Sequence, residues 1–456
     1  MSTNKQPIGY LPDERPPFLE LILFALQQIV VMFPATVLVA LLTGFHVSTT
    51  IFASGLSTLF FILITGKKIP LYYGSSFSYI AAITSIMSAE AFANYSLNDK
   101  ISIAQFGIVM SGFVSIIAGV IIKKSGKALI DKVLPPTVTG SIAIIIGLSL
   151  AANAMGNASS ISSAVPDNLK VLAGNMAWVI ALVTLLSTII YSVYLKGKLS
   201  QLPILFGLLT GYITALIIDG VTGLAFINFN TINASIFNLP TFTFPKPSLA
   251  AVAAIMPIAI ATIPESTAHI YQLDIYVNNL AKKRGAKHYD IEDKLGLNLI
   301  GDGVGDIVSG LVGGPAGTNY GENISAMAIS KIFSVPVLIA ASVITMIISC
   351  FTPLINAVYS IPTPVIGGLS IYLFGIIAAQ GITIMMDRKV DMFKSKNLAI
   401  IATILIIGLG GSFGYANGMI PIFGIEFPAI ATAAVFGIVL NLLLSIGEKP
   451  EKANED

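Results

Sequence analysis

Gly313-Gly314-Pro315-Ala316-Gly317-Thr318-Asn319-Tyr320-Gly321-Glu322-Asn323 decides the fold of this chain. The stretch cannot sustain a helix, because proline removes a backbone donor and glycine carries a high entropic cost there. Yet it lies between two apolar runs, Leu295–Val312 and Ser334–Leu354, each long enough to cross a membrane. Extended chain rises about 3.3 Å per residue against about 1.5 Å for helix, so roughly eight extended and ten helical residues also cover about 30 Å of hydrocarbon. Non-helical backbone at that depth is tolerated only where it is buried in protein or lines a cavity. Glu322 follows the break, and Ile263-Pro264-Glu265-Ser266 puts a second carboxylate beside another helix-breaking residue. An ionisable group at the bilayer centre costs about 2.5 to 3.5 kcal/mol, so both carboxylates are expected to face a polar cavity with a function.

Composition sets the class. Of 456 residues 55% are hydrophobic and 11% charged, with mean hydropathy +0.86, whereas soluble domains carry about 25% charged residues. The chain reads as an integral protein of the lipid bilayer. Its single cysteine, Cys350, sits in an apolar run and excludes an internal disulfide framework. Neither a paired His/Asp metal set, nor a nucleophile motif, nor a nucleotide-binding loop is present, so the reading is not an enzyme, with no cofactor and no nucleic-acid partner.

Twelve continuous apolar runs and two interrupted ones, Ile69–Ala89 and Gly313–Lys331, make fourteen crossings. With the N-terminus inside, 22 of the 25 Lys and Arg residues fall on the cytoplasmic side and only Lys100, Lys170 and Lys246 outside. The positive-inside rule predicts this asymmetry, and dropping either interrupted crossing reverses later basic loops. Both termini are then cytoplasmic. The N-terminus is polar up to Glu14 and carries no pattern of a cleavable signal.

Two echoes suggest an internal repeat. Tyr73-Gly74-Ser75-Ser76, in the first interrupted crossing, resembles Tyr320-Gly321-Glu322-Asn323, and Leu134-Pro135-Pro136-Thr137-Val138-Thr139-Gly140 resembles Ile361-Pro362-Thr363-Pro364-Val365-Ile366-Gly367. Their offsets allow seven crossings per half, and an odd number inverts the second half. The expected fold is therefore an all-α polytopic membrane protein of 14 transmembrane segments in two inverted seven-segment repeats, with short extended segments in crossings 3 and 10. Paired broken helices meeting at the midplane are the sequence mark of a secondary transporter.

Glu322-Asn323-Ile324-Ser325-Ala326-Met327-Ala328-Ile329-Ser330-Lys331 resembles the signature of the nucleobase-ascorbate transporters, also called nucleobase:cation symporters. That signature is an amide or acid, Asn, any residue, Gly, four residues, then Thr and a basic residue; Ser325 replaces the Gly and Ser330 the Thr. Asp13-Glu14-Arg15-Pro16-Pro17, Gly74-Ser75-Ser76-Phe77 and Pro264-Glu265-Ser266-Thr267-Ala268-His269 extend the likeness over most of the chain. The signature opens with Glu as in the bacterial uracil permease branch, which the chain resembles most; purine-carrying members usually have Gln there. It departs at Gln28, where uracil permeases commonly carry His.

The reading is uracil import across the cell membrane, with a proton as the natural coupling ion for a site of buried Glu and His and sodium, held by Asp and unwound carbonyls, as the alternative; the resemblance implies an elevator-type homodimer. The core domain spans 16–130 and 248–352, and the gate domain 131–222 and 353–447. A xanthine or urate permease of the same family is the nearest rival, and an anion exchanger of the same architecture comes next. Glu265 and Glu322 suit the acceptor side of a site for uracil, which offers two N–H donors, two carbonyls and a flat face. The resemblance adds main-chain N–H groups of Phe77 and Gly321, with Phe77 and Tyr320 as aromatic neighbours. His269, four residues after Glu265 and on its helix face, is either a hydrogen-bonding partner or, with Glu265 and Glu322, a proton-coupling group. Asp302, Asn323 and Ser76 are supporting residues, and Asp306 reads as structural.

Overall fold

The structure, a computed structural model, describes residues 9–125, 132–162, 165–227, 235–423 and 425–446. Lys5, Lys127, Lys449 and Lys452 of the charge count, and the domain limits at 130, 131 and 447, lie outside the described residues. Among the described residues ten helices are long and apolar enough to cross a membrane by length and composition, and three more apolar helices are shorter. The chain is a multi-pass membrane protein.

In chain order the first half contains α1 (Phe18–Thr43), α2 (Val47–Ile64), β1 (Tyr73–Ser75), α3 (Ile80–Met87), α4 (Leu97–Ser125), α5 (Pro136–Ser149), α6 (Ala151–Ala158), α7 (Lys170–Tyr194) and α8 (Pro203–Thr222). The second half contains α9 (Leu249–Ile255), α10 (Ile258–Arg284), α11 (Leu295–Val312), β2 (Gly317–Asn319), α12 (Gly321–Ser330), α13 (Val335–Ile348), α14 (Thr352–Tyr359), α15 (Thr363–Asp387), α16 (Ser395–Gly414) and α17 (Ala429–Leu444). A hairpin of β3 (Met419–Ile422) and β4 (Ile425–Pro428) precedes α17.

Helix packing falls into two sets. α11 packs on α4 and α2, α13 on α1 and α2, and α9 on α4, whereas α15 packs on α5, α6 and α7, α16 on α5 and α17, and α7 on α8. Close approach in the second set uses small residues, as helices surrounded by lipid do. A Cβ on Gly140 would lie 2.5 Å from Cγ of Met385, and one on Gly367 would lie 2.2 Å from the Ala158 nitrogen. The alignment that lays Gly140 on Gly367 also carries Ala158 onto Met385. Under that alignment the two contacts are mates.

β1 and β2 pair antiparallel, Tyr73 with Asn319, Gly74 with Thr318 and Ser75 with Gly317. The ladder extends through Ser76 N–H to the Ala316 carbonyl at 2.9 Å and Tyr320 N–H to the Tyr72 carbonyl at 3.0 Å. Buried backbone polar groups that lack helical partners must find others. Ser54 and Thr58 of α2 therefore donate to the Tyr73 carbonyl at 3.1 and 2.9 Å, and Asp306 accepts the Gly317 N–H at 2.7 Å.

Two features differ from the sequence reading. Pro264, although a helix-breaking residue type, lies inside α10, and the run read as continuous over 248–274 is interrupted about two turns before it, where Pro257 separates α9 from α10. Proline at 264 removes only the bond to the carbonyl one turn back, a loss that packing against neighbouring helices absorbs. The helical run begun at Pro136 also continues past Ala152 to Ala158, with a break at Leu150.

The N-terminal segment is strapped across one end of the first set. Tyr10 exchanges backbone bonds with Lys331 and Phe333 at 2.8 Å each, and Val335 N–H reaches the Pro12 carbonyl at 3.0 Å. Arg284, at the end of α10, grips Glu14 with two bonds of 2.6 and 2.8 Å. Those bonds hold the Glu14 carboxyl below its ordinary range. Asp13-Glu14-Arg15-Pro16-Pro17 thus lies in the segment that ties the first helix to the junction of α12 and α13.

Candidate functional site

The two strands deliver their following turns to one place. β1 runs into a 3-10 turn, Phe77–Tyr79, and β2 into α12; α10 packs against that turn, β2 and α12. The environment is closed: all of residues 313–320 and nearly all of 71–80 are buried. Within it Phe77, Glu265, His269, Gly321 and Glu322 are only half-buried. These five, which come from both broken segments and from α10, mark a candidate cleft.

Glu265 accepts a bond from the Ser78 hydroxyl at 3.2 Å. Neither Glu265 nor Glu322 has an ion-pair partner among the described residues. Glu322 stands in the first turn of α12, where main-chain N–H groups have no helical acceptor and present positive potential to the cleft. His269 faces Gly321, since a Cβ there would lie 2.9 Å from Nε2. Its Nδ1 is buried without a hydrogen-bond partner. The Phe77 ring meets Phe374 of α15 edge-on at 6.0 Å, so an aromatic contact links the two helix sets beside the cleft.

The other residues singled out in the sequence lie behind this surface. Tyr320 is 2% exposed, with its ring packed over Gly74 and its hydroxyl 3.0 Å from both the Thr36 hydroxyl and the Ser75 carbonyl. Its side chain thus braces β1 against α1. Ser76 is buried and accepts the Ser78 N–H at 3.3 Å, fixing the turn that carries Phe77. Asp302 accepts from Ser266 at 2.6 Å, Asn298 at 3.2 Å and Asn319 at 3.3 Å, joining α10, α11 and β2. Asp306 accepts the Tyr73 hydroxyl at 2.7 Å as well as Gly317 N–H, and so joins both strands. Asn323 is fully buried and donates to both the side-chain and main-chain oxygens of Gln28 at 2.9 Å. That pairing gives Gln28 a partner on α12.

Sequence reasoning missed Ser78 as the donor to Glu265 and Thr36 as the partner of Tyr320. Ser78 had a usable signal, a hydroxyl directly after the recognisable Gly74-Ser75-Ser76-Phe77. Thr36 had none. Among the described residues there is no group of three or more His, Cys, Asp or Glu side chains that could hold a metal ion.

A model of a permease family, Xan_ur_permease, matches residues 19–417. The uracil permease of Bacillus caldolyticus is 37% identical over 440 residues, which cover 95% of this chain and 94% of that protein. The putative pyrimidine permease RutG of Escherichia coli (strain K12) is 34% identical, covering 97% and 94%. The uracil permease of Bacillus subtilis (strain 168) is 34% identical, covering 97% and 96%. Among solved structures, the transmembrane domain of a cyanobacterium bicarbonate transporter, BicA, matches with TM-score 0.60 at 14% identity, over 94% of this chain and 99% of that one. SLC26A9 matches with TM-score 0.66 at 12% identity, over 94% of this chain and 65% of that one, so the chain spans about two-thirds of its length. At such identities the likeness is one of fold.

Proposed function

The chain belongs to the Xan_ur_permease family, the nucleobase-ascorbate transporters, and from that membership we propose that it imports uracil by proton symport. The observation that carries this reading is the candidate cleft: two carboxylates without cationic partners among the described residues, one in the first turn of α12 and one on α10 packed against it, beside an aromatic ring. Uracil's N–H groups meet Glu265 and Glu322, its carbonyls meet the main-chain N–H groups of Gly321 and Phe77, and Phe77 covers the ring. Tyr320 forms the wall behind. Asp302, Asn323 and Ser76 hold these groups in place. Relatives named as uracil permeases are 33–37% identical and one named as a putative pyrimidine permease is 34% identical, which supports a pyrimidine over a purine.

The fold likeness to a bicarbonate transporter favours an anion as second reading. Two unpaired carboxylates make that electrostatically poor.

Fourteen crossings follow if the ten long helices and three shorter apolar ones are joined by α12, with its preceding strand. The two packing sets support a division into a core of 16–130 and 248–352 and a gate of 131–222 and 353–447; the core moves against the gate in a homodimer, and the distribution of Lys and Arg puts both termini on the cytoplasmic side. Motion across the Phe77 to Phe374 contact is what would expose the cleft alternately.

His269 lies one helical turn from Glu265 and against Gly321, which makes a proton the natural coupling ion. Uptake of labelled uracil into proteoliposomes should rise with an inward pH gradient and collapse with a protonophore, while exchanging sodium for choline changes little. A requirement for sodium with indifference to the gradient removes the proton from the scheme.

A further inference from the structure

On the flank of the protein α1 and α13 leave an open groove of about 680 Å³. Phe18, Leu21 and Ile22 form one wall and Ile339, Val343 and Ile344 the other. Between Val335 and Ile344 the groove follows α13 for about 13 Å at the helical rise. Phe18 is 73% exposed and Val343 41%, an apolar surface suited to hydrocarbon. Arg15 and Lys67 stand at its mouth, before α1 and after α2. Neither of these side chains has an ion pair or hydrogen bond among the described residues.

The one carboxylate at the mouth, Asp13, is already engaged. It accepts the Tyr289 hydroxyl and lies 3.3 Å from Lys287 Nζ, and these contacts hold it below the ordinary carboxylate range. Two free cations therefore stand over an apolar slot, on the side that the proposed orientation makes cytoplasmic.

We infer that this groove holds an anionic phospholipid of the cytoplasmic leaflet, its phosphate between Arg15 and Lys67 and an acyl chain along Ile339 and Val343. Guanidinium geometry matches a phosphate with two parallel bonds, and basic pockets between helices on the cytoplasmic side suit anionic headgroups. A free phosphate would leave the slot empty, and a zwitterionic headgroup would bring its own cation against Arg15 and Lys67. Occupation has a structural consequence. Pro12 and Val335, which bond to each other in the N-terminal strap, also line the groove, so the lipid braces the junction from which α12 and Glu322 extend.

The full-length protein in detergent, titrated with fluorescent phosphatidylglycerol, should bind it saturably and at least tenfold more tightly than phosphatidylcholine with the same chains. sn-Glycerol 3-phosphate should not compete. Arg15→Gln with Lys67→Gln should weaken phosphatidylglycerol about thirtyfold, the product expected for two juxtamembrane cations. Ala340→Trp, which fills the slot but keeps both cations, should also abolish the preference. Equal binding of phosphatidylcholine, competition by glycerol phosphate, or wild-type affinity in both variants overturns the inference. A change of oligomeric state in Ala340→Trp without any lipid preference assigns the groove to a second copy and overturns it too. The comparison of lipids on the unaltered protein stands even if a variant fails to fold.

Discussion

Glu322→Gln should lower uracil affinity by tenfold or more while the protein remains monodisperse in detergent. The carboxylate only accepts hydrogen bonds, and an amide of the same size also presents donors, so an N–H of the substrate meets an N–H of the protein. A lost contact of about 1.4 kcal/mol is tenfold in affinity, and leaving a buried donor unmatched costs about 1 to 3 kcal/mol. Folding should be little affected, because Glu322 is half-buried at a cleft and has no ion-pair partner among the described residues to strand. Isothermal titration of the purified variant measures it. Affinity within twofold of the parent protein would remove Glu322 from the site.

The second large effect is expected from Gly321→Val. A Cβ at this position lies 2.9 Å from Nε2 of His269, closer than side-chain contacts normally come, and valine adds two further methyls at the first residue of α12. The imidazole must swing away and the added bulk covers the main-chain N–H beside it. Uracil binding should fall by at least a hundredfold. The fold should persist, because the displaced group borders a cleft and overpacking of this size costs about 1 to 3 kcal/mol. Gly321→Ala, with one methyl, should fall between the two. Normal binding by a folded Gly321→Val protein would place the substrate elsewhere.

These effects depend on features of unequal visibility in the sequence. The breaks around residues 72–76 and 313–320 are legible because glycine and proline in an apolar context have few other uses, and Glu322, directly after the second, marks a cleft. Glu265 and His269 share a face by spacing alone. What a single sequence does not carry is which distant side chain satisfies which. Gln28 meets Asn323, Tyr320 meets Thr36, and Ser78 meets Glu265, pairs set by how helices stack and not by local preference. The register of β1 on β2 is of the same kind, since glycine-rich strands specify register weakly by their side chains. Pro264 shows the reverse error: a residue that reads as a breaker is carried inside α10 by the helices around it. Tyr320, an aromatic beside the signature acid, is buried as a brace because Gly74 leaves room for its ring.

Uptake of labelled uracil by proteoliposomes, challenged with unlabelled uracil and with xanthine, tests the central claim most directly. The account predicts saturable uptake that unlabelled uracil abolishes and that a hundredfold excess of xanthine leaves largely intact. Xanthine competing as well as uracil, or no saturable uptake of uracil by the folded protein, would contradict it.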